Sequence, residues 1–143
     1  MKRVIASGVF DVLHQGHIFF LEEAKKLGDE LCVIVANDET VVRKKSRKPI
    51  MPQKVRAAVV SALKPVDRVV MGYPSGDMFR VLDDIRPDII ALGFDQDFDV
   101  ESLRDEAMKR ALDVEVVRLC RKDGDIDSTR KIISRIIARE GVE

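Results

Sequence analysis

Short apolar runs rich in β-branched residues alternate along the chain with longer stretches whose apolar positions recur every three or four residues. Val4-Ile5-Ala6, followed at once by Ser7-Gly8, predicts a buried strand ending in a turn. From Gln15 or Gly16 onward Phe20, Leu21, Ala24 and Leu27 repeat at helical spacing, and Gly28 follows as a C-terminal glycine. Leu31 to Ala36 is continuously apolar, as a parallel strand covered on both faces requires. A short helical segment and a basic stretch lead to Pro49, and Pro52 then opens a helix whose predicted stripe is Val55, Val59 and Leu63. Val69-Val70-Met71, Ile89 to Leu92 and Val114 to Leu119 predict three further strands, separated by helices at about 77–85 and 101–111. A final helix starts at Ser128 or Asp127 as N-cap, with Ile132, Ile133, Ile136 and Ile137 as its predicted buried stripe.

Strands alternating with helices predict an α/β fold, a Rossmann-like doubly wound parallel sheet of five strands with right-handed crossovers. In such sheets ligands bind outside the carboxyl ends of the strands, where the strand order reverses. The loops expected there are 8–17, 37–48, 72–76, 93–97 and 121–128.

Composition narrows the classes. The 143 residues suit a single domain, 1–143, large enough for one hydrophobic core. Lys and Arg number 25, as do Asp and Glu, so no global basic field favours nucleic acid. Apolar runs of five or six residues are too short to span a membrane, and no apolar segment of signal-peptide length opens the chain. A cytoplasmic protein is expected. Cys32 and Cys120 make neither a disulfide framework nor a metal knuckle and read as reduced thiols.

The chemistry concentrates on Gly8-Val9-Phe10-Asp11-Val12-Leu13-His14-Gln15-Gly16-His17, which holds both histidines of the chain. A helix N-terminus offers unpaired N–H groups and the positive end of a dipole, and Gly16 lets a phosphate come near the backbone. His14 and His17, as imidazole or imidazolium donors, would flank such a phosphate and stabilise charge on a leaving pyrophosphate. A zinc site is disfavoured because there is no third His and no paired Cys, and neither phosphate-loop glycine fingerprint is present. Arg43 to Lys48 carries five cations in six residues, a solvated loop by composition but one placed beside a strand end.

Gly8-Val9-Phe10-Asp11 followed by His14-Gln15-Gly16-His17 resembles the G-x-F-D-x-x-H-x-G-H signature of the nucleotidylyltransferase superfamily, in the branch that contains glycerol-3-phosphate cytidylyltransferase. The resemblance extends to Asn37-Asp38-Glu39-Thr40, Arg47-Lys48-Pro49 with Arg56, and Leu92-Gly93-Phe94-Asp95-Gln96, and so covers essentially the whole chain. Within the branch the chain is similar to the archaeal FAD synthase group, which shares the segments seen here at 38–41, 47–50 and 63–67. Val9, Gln15 and the stretch Ile126-Asp127-Ser128-Thr129 depart from the common pattern; of the late motif only the Ser/Thr helix start is kept.

The resemblance implies in-line attack of a substrate phosphate on the α-phosphorus of a nucleoside triphosphate, with release of pyrophosphate. His14, His17 and Lys45 are the implied catalytic groups. Val9, Phe10, Gln15, Gly16, Lys44, Asp95, Ser128 and Thr129 complete the nucleotide site, and Asp11, Asp38 and Arg56 face the acceptor or an ATP-borne Mg²⁺. ATP with FMN is the implied substrate pair, without a protein-held metal, in a homodimer. CTP with glycerol 3-phosphate, or ATP with phosphopantetheine or a sugar phosphate, would use the same turn. Tyr73, Phe94 and Phe98 are candidate walls for a flavin. Two other classes stand beside this one: a non-catalytic nucleotide sensor, and a metal-dependent hydrolase built on His14 and His17.

Overall fold

The computed structural model describes residues 1–94, 96, 98–120 and 128–141. The chain alternates β1 (Arg3–Gly8), α1 (Gln15–Lys26), β2 (Glu30–Val35), α2 (Asp38–Lys45), α3 (Gln53–Ser61), β3 (Arg68–Met71), α4 (Met78–Ile85), β4 (Ile89–Leu92), α5 (Val100–Lys109), β5 (Glu115–Arg118) and α6 (Thr129–Glu140). All described strand pairs are parallel, in the order β3-β2-β1-β4-β5, with Ile5 opposite Cys32 on one side and Ile90 on the other. The chain thus steps outward from β1 through β2 to β3 and then returns to the far side of β1. The order reverses between β1 and β4, and the crevice that a doubly wound sheet offers a ligand opens there.

Strand side chains alternate between two cores. Val4, Ala6, Val33 and Val35 pack with Leu21 and Ala24 of α1 and Val60 of α3, whereas Ile5, Cys32, Ile34 and Ile90 pack with Val81, Leu82 and Ile85 of α4 and Leu103 and Ala107 of α5. Burial pushes the Cys32 thiol pKa upward, and Cys120 is exposed. Among the described residues no helix is long and apolar enough to cross a membrane.

Three expectations drawn from periodicity need correction. On α3 the buried positions are Arg56 and Val60, while Val55 and Val59 are exposed. The helix is turned so that a guanidinium faces the interior, because acceptors wait for it there. On α6 Ile132 and Ile133 are half-buried, but Ile136 and Ile137 are exposed, and no residue of the helix is fully buried. The basic stretch is not all loop: Arg43, Lys44 and Lys45 form the last turn of α2, where cations complement the helix dipole, and Ser46 ends it in the left-handed conformation at φ 57°.

Candidate active site

The turn from Gly8 to His17 leaves β1 through a left-handed residue that is not glycine. Phe10 has φ 52° and is buried, its ring folded back over Gly8. A Cβ at position 8 would lie 2.8 Å from Phe10 Cε2, so only glycine lets the ring take that place. On its other side the Phe10 ring meets His17, with centroids 5.4 Å apart.

The three-residue spacing of the histidines has a local cause: they cap α1 reciprocally. His14 is the N-cap and its Nδ1 accepts from Gly16 N at 3.0 Å, while His17 at N3 accepts from His14 N through Nδ1 at 3.3 Å. This is the geometry of a capping box with imidazoles in place of a hydroxyl and a carboxylate. It stacks the rings with centroids 3.8 Å apart. An Nδ1 that accepts carries no proton, so the donor of each ring is Nε2–H. The sequence expectation that backbone N–H groups of α1 receive a phosphate is changed accordingly. Gly16 N is spent on His14 Nδ1, and His17 N and Ile18 N reach the His14 carbonyl at 3.1 and 3.3 Å.

Electrostatics fix the charge state of His17. Burial first, then the neighbouring His14 ring, lowers its pKa from 6.5 to about 4; Asp11 opposes them and Lys45 adds to them. His17 is therefore neutral at pH 7, a hydrogen-bond donor and not a cation. Lys45, from the end of α2, is close enough for its charge to bear on this ring.

Asp11, Asp38 and Arg56 are brought together, but largely with each other and with the main chain. Asp11 accepts from Ile50 N at 2.7 Å and from Met51 N at 2.9 Å, one carboxylate oxygen to each. The Arg56 side chain is fully buried and donates to Met51 O at 2.9 Å, Val9 O at 2.7 Å and Asp38 Oδ1 at 2.6 Å. Asp38 N in turn donates to the Gln53 side chain at 2.7 Å, and Gln53 N returns to Asp38 Oδ2 at 3.3 Å. These bonds tie the first turn, the N-terminus of α2, the 50–52 segment and α3 into one rigid unit. Sequence reading found the three residues only as charged positions in matching segments; apart from Arg56 to Met51, their partners lie 15 to 47 residues away and leave no local signal.

The opposite wall is equally tied. Gln96 donates to Ser7 O at 2.9 Å and accepts from Gly93 N at 2.8 Å, bridging the ends of β1 and β4. Arg118, at the end of β5, donates to the carbonyls of Gly93, Gln96 and Phe98 at 3.0, 2.8 and 3.2 Å. From the sequence Gln96 is named only as the end of a segment that resembles the family and Arg118 not at all, since their bonds are visible only once three strand ends are adjacent. Lys44 lies over the Phe98 ring at 5.8 Å. Asp95, a predicted nucleotide contact, lies outside the described residues, as do 121–127. The start of α6 docks on the first turn: Ser128 caps the helix by accepting from Lys131 N at 3.2 Å, and Thr129 Oγ1 donates to Val12 O at 2.8 Å. Two helix N-termini thus converge beside the histidines, a positive environment suited to a polyphosphate. Gln15 is exposed at the first position of α1.

The three aromatic candidates do not form one wall. Tyr73 follows β3 and Phe94 follows β4, with β2 and β1 between them in the sheet, about 14 Å by strand spacing. Tyr73 is further committed, its hydroxyl bonded to Asp84 and its ring covered by the Arg80 guanidinium at 4.2 Å.

Comparison with known proteins is consistent with this geometry. A cytidylyltransferase-like family model matches residues 5–137. The chain is 54% identical over 140 residues to a FAD synthase of Aciduliprofundum boonei, covering 97% of this chain and 93% of that protein. It is 52% identical over 138 residues to a FAD synthase of Ferroglobus placidus, covering 96% and 89%. Among solved structures, a protein of Thermoplasma volcanium described as a lipopolysaccharide core biosynthesis protein is 46% identical, with a TM-score of 0.80 over 86% of this chain and 99% of that one.

Proposed function

We infer that this chain, which belongs to the cytidylyltransferase-like family, is a nucleotidyltransferase that moves AMP from ATP to the phosphate of FMN, giving FAD and pyrophosphate. One observation carries the choice of substrates: about half of all positions are identical to FAD synthases over nearly the full length of both chains. The paired histidines supply the chemistry.

An oxygen of the FMN phosphate attacks the α-phosphorus of ATP as the bond to the β-phosphate oxygen breaks, with no covalent enzyme intermediate. Positioning and charge stabilisation supply the rate. His14 and His17 donate through Nε2–H to the phosphate oxygens on which charge accumulates, and His17 does so as a neutral ring that costs no deprotonation. Lys45, with Lys44 beside it, neutralises the α-phosphate from α2. Ser128 and Thr129 bring the start of α6 to the pyrophosphate end. Asp95 and its neighbours meet the ribose or base. Asp11, Asp38 and Arg56 hold the acceptor side of the turn in shape.

The donor set does not suit a protein-held metal. Among the described residues no three His, Cys, Asp or Glu side chains gather, and Asp11 and Asp38 are already engaged. A Mg²⁺ ion would arrive on the triphosphate, held by its oxygens and water, and supply charge neutralisation. A homodimer, a cytoplasmic location and no nucleic-acid partner complete the reading.

Pyrophosphate release is to be measured with ATP or CTP crossed with FMN, glycerol 3-phosphate, phosphopantetheine and a sugar 1-phosphate. The expected result is turnover with ATP and FMN. Turnover with another acceptor and none with FMN would overturn the assignment. His14→Ala and His17→Ala should each lower kcat by about a hundredfold or more, the scale for losing one donor to a developing oxyanion.

A further inference from the structure

We propose that the isoalloxazine ring of the acceptor lies in the groove between α2 and the 48–52 segment, against Val42 and Ile50. The proposal rests on FMN being the acceptor and adds where its ring is bound. A cavity of about 620 Å³ opens there, in the size range of small-molecule sites, with Asp38, Glu39, Val42 and Arg43 of α2 on one side and residues 48–50 and Pro52 on the other.

Four features select this groove. Val42 and Ile50 are 42% and 61% exposed, large aliphatic side chains that the fold leaves uncovered on facing walls of one cavity. Pro49 and Pro52 add apolar surface whose shape costs no ordering when a flat ring lands on it. The groove also adjoins the turn that carries the histidines, since Asp11 of that turn accepts from Ile50 N on the groove wall. Val42 and Lys45 are three residues apart on α2, hence on one face and about 4.5 Å apart along the axis. An acceptor whose phosphate attacks the α-phosphorus beside Lys45 and His17 therefore has room to extend its body along α2 onto Val42.

The fourth feature is rigidity. Ile50 N and Met51 N are held by Asp11, and Arg56 fixes the Met51 carbonyl, so the far wall is anchored to the turn that carries the histidines. Arg43 is anchored too, its guanidinium donating to the Ser75 carbonyl at 2.8 Å, so its side chain stands as a fixed rim. Lys48 makes no ion pair among the described residues and is placed to meet the polar, pyrimidine edge of a flavin. By contrast, Tyr73 and Phe98 are occupied by Arg80 and Lys44.

The test uses the full-length protein and the variants Ile50→Asp and Val42→Asp. Both side chains are solvent-exposed, and the Ile50 N–H that Asp11 holds is untouched by the change, so folding is retained and is checked by circular dichroism. FMN binding is read directly from quenching of its fluorescence, and KM values for FMN and ATP from pyrophosphate release. Each variant should weaken FMN binding and raise its KM by about tenfold or more, the scale for replacing a buried aliphatic contact by a carboxylate, with no comparable rise in KM for ATP. Wild-type turnover of FMN with unchanged FMN affinity in both variants would overturn the groove and leave the reaction standing. Absence of FMN turnover in the wild type would overturn both. A fall in molar mass by light scattering, with FMN affinity unchanged, would assign the face to a second copy of the chain and overturn the proposal.

Discussion

Replacing His17 by Gln removes a titrating group from the first turn while keeping the cap. Glutamine is one of the residues that fill N3 of a capping box, and its carbonyl can accept from His14 N as the imidazole Nδ1 does. The folded state lowers the His17 pKa from 6.5 to about 4, chiefly by burial. Between those values the unfolded chain binds a proton that the folded chain refuses, so stability rises with pH across this window. The contribution is fully present above 6.5 and is lost as pH falls through about 4. At about 1.4 kcal/mol per tenfold in proton affinity, the gap from 6.5 to about 4 corresponds to about 3 kcal/mol. Protonation at Nδ1 would also eject the His14 N–H from its acceptor, so the cost falls on the turn that holds both histidines. The assay is urea unfolding of wild type and His17→Gln at intervals from pH 7.5 to pH 4. The two stability curves should diverge as pH falls below about 6.5, the wild type losing up to about 3 kcal/mol more than the variant at the acid end. Curves that stay parallel across the window, or a His17 ring that titrates near 6.5 by NMR in the folded protein, would refute the reasoning.

Other perturbations probe the supports of the site. Arg56→Lys keeps the charge but cannot reach Val9 O, Met51 O and Asp38 at once, and should cost about 2 kcal/mol in urea unfolding for the acceptor left unpaired. Gly8→Ala drives a Cβ to 2.8 Å from the Phe10 ring and should destabilise by about 1–3 kcal/mol, with a lowered Tm. Thr129→Val removes the 2.8 Å bond to Val12 O at nearly constant volume; about 1 kcal/mol of docking should be lost, seen as a raised KM for ATP.

The sequence alone determined the order of strands and helices, because β-branched runs and helical periodicity are local properties of the chain. It also determined the position of the histidine turn, and the resemblance carried by that turn led to the reaction class. The spacing of His14 and His17 was legible as a pair, but not as a cap, since a side chain's choice between ligand and backbone partner depends on the fold around it. The stripe on α3 was misread for a related reason. Arg56 outcompetes Val55 for the interior only because Val9 O, Met51 O and Asp38 are gathered there, and those acceptors come from three separate segments. Likewise nothing near Gln96 or Arg118 announces that β1, β4 and β5 end side by side. Tertiary structure decided which polar groups are spent on one another, and so which remain to meet a substrate: hydrogen-bond pairing over tens of residues is set by chain topology, to which local pattern is blind.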